Sequence, residues 1–143
     1  MLTVELKDAA GRTPVQFDIL PSAGLPLPVV QSQLQLARHL APTIGLRYYF
    51  LVSTDEVRGW RITDGAPVFA APTIALLLRY AGSEDRIRGA HGVYLAQLIQ
   101  AWVADLTSRW KSGAEKAPGE PEMGQSGVLE VIRAAEPTTS GSL

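Results

Sequence analysis

Glu5 and Lys7 stand two residues apart in a run where Leu2, Val4 and Leu6 alternate with Thr3, Glu5 and Lys7. Successive strand side chains point to opposite faces, so this period-two pattern puts a carboxylate and an ammonium on one face of a half-buried strand. The plain alternative is a solvated strand face, where such a pair contributes about 0.2 to 1 kcal/mol. Asp18 is the acid of a second strand-like run, Val15 to Leu20. It reads equally as a turn-side acid before the proline-rich stretch that follows. His39 and His91 have no acid or serine partner evident in the sequence, so a hydrolytic triad has no support. There is no cysteine, which removes disulfides, zinc thiolates and thiol nucleophiles together and fits a reducing compartment, the cytoplasm by default. No glycine-rich phosphate loop and no zinc-ligand spacing occurs.

Tyr48, Tyr49, Trp60, Trp102 and Trp110 have faces for stacking on bases, but their apolar neighbours point to core packing. Arg58, Arg61, Arg86 and Arg88 are offset by Asp55, Glu56, Glu84 and Asp85 close by. Lys and Arg number 13 against 14 for Asp and Glu, so any nucleic-acid contact has to be local. The 143 residues, 46% hydrophobic and 19% charged, suit one globular core. Charged residues interrupt the first seven positions, and nowhere do about 18 apolar residues run together, so neither secretion nor membrane spanning is expected.

The elements that must position these residues follow from periodicity. Residues 2–7 and 15–20, separated by Asp8-Ala9-Ala10-Gly11-Arg12, predict an antiparallel hairpin. After the breakers Pro21, Gly24, Pro26 and Pro28, the apolar positions Val30, Leu34, Ala37 and Leu40 predict a helix from Val29 that ends before Pro42. Arg47 to Ser53 predicts a central strand, and Val57 to Thr63 a second one paired with it, closed by Asp64-Gly65. Pro72 to Gly82 and Val93 to Trp110 predict helices, the latter with Leu95, Leu98, Ile99, Trp102, Val103 and Leu106 on one stripe. The resulting plan is an α/β (α+β) domain over residues 1–110, with a small mixed sheet of about four strands covered by helices. A linker at 111–125, a docking helix at 126–135 capped by Ser126, and a disordered tail at 136–143 complete it.

Three segments within this order, Gln35-Leu36-Ala37-Arg38-His39-Leu40, the run from Tyr49 to Trp60, and Ser126 to Ile132, resemble small stand-alone proteins of the PD-(D/E)XK, restriction endonuclease-like superfamily. The resemblance spans about residues 11 to 134. It implies an acid on one strand and an acid-x-Lys motif on the next, the acids holding Mg²⁺ and the lysine assisting hydroxide attack on phosphate. It further implies a helix glutamine near the site, a part that falls to Gln35.

Two registers can be drawn. In one, Glu5-Leu6-Lys7 is the acid-x-Lys motif, without a preceding strand to supply the other acid. In the other, Asp18-Ile19-Leu20 occupies the motif directly before the Gln35 helix, with leucine in the lysine position and the upstream acid position near Thr3. Element order favours the second. Asp18 and Glu5 are thus the candidate metal ligands, with Lys7 and Gln35 as the other catalytic candidates. A lone carboxylate holds Mg²⁺ poorly, so the expectation is a degenerate or incomplete nuclease-like domain that binds nucleic acid or a partner protein. The alternatives are an active Mg²⁺-dependent nuclease using Glu5 and Lys7, and an interaction module, such as a homodimer, whose edge strand at residues 2–7 pairs with another chain.

Overall fold

A computed structural model of the chain describes residues 1–141, the last six as backbone. The fold is α+β: a mixed sheet with helices on both faces. Its strands are β1 (Leu2–Lys7), β2 (Val15–Ile19), β3 (Tyr48–Val52), β4 (Glu56–Arg61), β5 (Pro67–Pro72) and β6 (Glu136–Gly141), in the order β5-β4-β3-β2-β1-β6. β1 and β2 form the expected hairpin, pairing Leu2 with Ile19 and Leu6 with Val15. β3 and β4 form the second, from Tyr48–Arg61 to Val52–Val57. β2 and β3 run parallel, joined over the sheet by helix α1 (Leu27–Ile44). That crossover orders the site, because it brings Asp18 beside the aromatic strand.

The two faces of the sheet are covered unequally. Leu2, Val4, Leu6, Val15, Phe17, Ile19, Tyr48, Phe50 and Val52 all point into the larger core. There they meet helices α2 (Thr73–Ala81), α3 (Glu84–Arg88), α4 (Gly92–Ser108), α5 (Glu120–Gln125) and α6 (Val128–Arg133). The expected α4 stripe is buried throughout, with Trp102 at its centre beside Phe17 and Phe69. On the opposite face α1 places Val30, Ala37 and Ala41 over Tyr49, Leu51, Trp60 and Ile62. This second core involves β3 and β4. The β1–β2 part of that face carries Thr3, Glu5, Lys7, Gln16 and Asp18 instead.

Several expectations change. α1 starts two residues early, with Pro28 in its first turn, and runs through Pro42 to a left-handed Gly45 because Ala41 is packed against the sheet. Leu40, expected on the apolar stripe, is 44% exposed. β5 and β6 enlarge the expected four strands. The segment 111–125 is no mere linker: it contains α5 and buries Ala117, Glu120 and Met123. Ser126 does not cap α6; its hydroxyl donates to the Met123 carbonyl, and Gly127 takes the cap position. Trp110 is 56% exposed at the end of α4. Residues 136–141 of the expected disordered tail pair with β1 from Lys7–Glu136 to Leu2–Gly141, while 142 and 143 lie outside the described residues. β1 is therefore an interior strand and has no free edge for another chain. No described helix is long and apolar enough to cross a membrane.

Candidate functional site

Asp18 sits opposite Thr3 of β1 and beside Leu51 of β3. The residue is 7% exposed, yet both of its carboxylate oxygens have donors. Thr3 Oγ1 donates to Oδ1 at 2.7 Å, Gln16 Nε2 to the same oxygen at 3.1 Å, and Tyr49 Oη to Oδ2 at 2.5 Å. Each donor is there for a geometric reason. Thr3 is the direct cross-strand partner, Gln16 shares the face two residues earlier, and Tyr49 pairs with Gln16 on the parallel side. Burial, and next the charge and hydrogen bond of Asp18, push the Tyr49 hydroxyl far above its ordinary value, so it remains a donor throughout the physiological range. Tyr49 also stacks on Trp60 at a centroid distance of 6.5 Å, which fixes its ring.

Glu5 and Lys7 share the face as their spacing requires, and they pair with each other at 3.1 Å. Lys7 Nζ also donates to Thr13 Oγ1 at 2.8 Å, anchoring it at the turn end of the hairpin. Asp18 lies opposite Thr3, so Lys7 is four residues away along β1, about 13 Å at the usual strand rise. Glu5 is two residues away, about 7 Å by the same measure. The structure thus joins Glu5 to Lys7 but keeps Lys7 from Asp18.

Gln35 is not at the site. It is exposed on α1 and lines a surface depression with Gln31, Leu34 and Arg38, which share one side of the helix by their spacing. Arg38 lies over Gly65, in the turn after β4, so this flank of α1 looks toward the β4 side of the sheet. Among the described residues, the donors to Asp18 come from β1, β2 and β3. Leu20, in the place where the resemblance implies lysine, packs against the α1 core.

Mg²⁺ does not fit these residues. The ion takes its affinity from several hard oxygen ligands with open lone pairs. Here one buried carboxylate has both oxygens occupied by protein donors. Among the described residues no group of three or more His, Cys, Asp or Glu is placed to hold a metal. Neither histidine changes this: His39 is exposed, and His91 Nδ1 accepts from the Tyr94 amide as the cap of α4. Arg61 and Arg88 are taken up by Asp64 and Glu84. Arg58 lies over the Trp60 ring at 5.1 Å.

Sequence reading missed Thr3, Gln16 and Tyr49 as partners of Asp18. The period of two signals Gln16, since it shares a face with Asp18; Thr3 needed the hairpin register and Tyr49 the parallel pairing. It also missed Asp105 in α4, a fully buried carboxylate that accepts from Tyr80 Oη at 2.5 Å and Ser112 Oγ at 2.6 Å. The backbone amides of Lys111 and Ser112 donate to its other oxygen. Burial works to raise this carboxyl, but the Ser112 and Tyr80 hydroxyls and those amides outweigh it and hold it below the ordinary range. Compared with known proteins, the chain matches no family model, no curated protein and no solved structure.

Proposed function

We propose that this chain is a catalytically silent nuclease-like domain of PD-(D/E)XK type that works by binding nucleic acid or a partner protein. One observation carries the silent half: side-chain donors from Thr3, Gln16 and Tyr49 occupy both oxygens of the Asp18 carboxylate. The nuclease-like half is supported by the order hairpin, helix, parallel strand, with Asp18 on the strand before the helix and Thr3 directly across from it. Engagement of Lys7 by Glu5 and Thr13 weighs against the alternative in which Glu5 and Lys7 run the reaction.

The test is direct. The full chain, incubated with Mg²⁺ or Mn²⁺ and a panel of single- and double-stranded DNA and RNA, is expected to leave every substrate intact. Metal-dependent cleavage that disappears in Asp18→Ala overturns the silent reading. Cleavage that survives Asp18→Ala but disappears in a Glu5→Ala, Lys7→Ala double variant points instead to the other register.

A further inference from the structure

A groove of about 590 Å³ lies at the start of the parallel β2–β3 pair, the end away from Asp18. The β1–β2 turn, the C-terminal cap of α1 and helix α6 bound it. Among the described residues, four charged ones line it: Asp8, Arg12, Arg47 and Glu130. Asp8 is committed to its own turn, accepting from the Ala10 and Arg12 amides at 2.9 Å each. The other three make no ion pair among the described residues, although opposite charges share one groove.

Both guanidinium stems are held by packing. The Arg12 stem lies on Gly45, where φ is 75° and a Cβ would approach Arg12 Cδ to 2.9 Å. A glycine at that cap both allows the left-handed turn and leaves the stem its seat. Arg47 is placed over the Tyr48 ring, 5.9 Å from its centroid. That ring is fixed in turn, since its hydroxyl donates to the Ser126 carbonyl at 3.2 Å. Two exposed arginines with packed stems and an exposed carboxylate therefore line a space within the range of small-ligand pockets, about 300 to 1,000 Å³.

Guanidinium forks match phosphate oxygens and favour a dianion, and two of them supply more donors than a single carboxylate needs. The volume exceeds what a phosphate alone fills, and Glu130 calls for a hydrogen-bond donor on the remainder of the ligand. We propose that this groove binds a nucleoside monophosphate, its phosphate on Arg12 and Arg47 and a ribose hydroxyl or base amino group donating to Glu130. This site does not depend on the nuclease-like reading.

Titration calorimetry of the full chain with adenosine monophosphate, adenosine and inorganic phosphate, with amide chemical shifts to locate binding, tests it. The monophosphate is expected to bind with Kd of about 1 mM or tighter, shifting amides around Gly45, Tyr48 and Gly127. Adenosine, and an Arg12→Gln, Arg47→Gln double variant, are each expected to lose about ten-fold or more. Glu130→Gln is expected to weaken the monophosphate and leave phosphate unchanged. Absence of saturable binding, or binding undiminished in a double variant whose thermal melt matches the parent, overturns the proposal. A short oligonucleotide that binds about 100-fold tighter through the same arginines also overturns it, by making the occupant a strand.

Discussion

Asp18 and Asp105 are both buried carboxylates filled with donors, but they are built from different parts. Among the described residues, Asp18 receives side chains from three neighbouring strands. Asp105 receives two hydroxyls and two backbone amides, and Arg79 stands 3.9 Å away. The first ties strands that pairing already holds. The second holds chain that has no other regular structure, the turns that follow the left-handed Arg109 at the end of α4. Nearby, Arg109 reaches buried Glu120 at 2.6 Å, and Glu120 accepts from the Ala117 amide. A segment poor in apolar residues is thus held by two buried carboxylates together with Ala117 and Met123. The two acids thus play the same part, each an acceptor tying separate stretches of chain together, and Asp105 serves the larger set of donors.

The contrast can be broken at Asp105 first. Asp105→Ala removes the buried acceptor of two part-buried amides and two hydroxyls at once, and is expected to cost about 3 to 5 kcal/mol in urea denaturation, with residues 109–120 losing amide-exchange protection. Asp18→Ala leaves Thr3 and Gln16 able to turn to one another but strands the buried Tyr49 hydroxyl, and is expected to cost about 1 to 3 kcal/mol while the sheet amides stay protected. Equal losses at the two positions would show that the difference between backbone and side-chain donors is immaterial.

The smallest expected effect is in the pH dependence of stability. The Asp105 carboxyl is held below its ordinary value of 3.8 in the folded chain. Its contribution to stability is therefore complete above that value and is lost as pH falls through the lower folded one. The stability gap between the parent and Asp105→Asn is expected to be constant from about pH 7 to pH 5 and to narrow below about pH 4. A gap that widens on acidification would contradict the donor arrangement.

Much of this architecture was legible in the amino-acid order because periodicity is a local property. Alternation at Leu2, Val4 and Leu6 and at Val15, Phe17 and Ile19 marked two strands and the face each buries. The run Tyr48 to Val52 marked the strand covered on both sides, and the α4 stripe marked the helix beneath the sheet. Glu5 and Lys7 were placed on one face by the same rule, and they are. Where long-range pairing decides, local pattern had nothing to say. That Asp18 meets Tyr49, 31 positions later, depends on the parallel pairing of β2 with β3. That Gln35 faces the β4 side depends on how α1 rolls over the sheet, since its outer residues are alike in type. β6 and the 111–125 segment carry little periodic apolar signal, because one is held by backbone hydrogen bonds to β1 and the other largely by Asp105, Arg109 and Glu120. The chain order alone therefore determined which apolar faces of β1 to β4 and of α4 are buried, though not that Leu40 is exposed or that Asp105 is enclosed. The tertiary structure decided which polar groups those elements bring together, because hydrogen bonds between distant residues exist only once register and crossover are set.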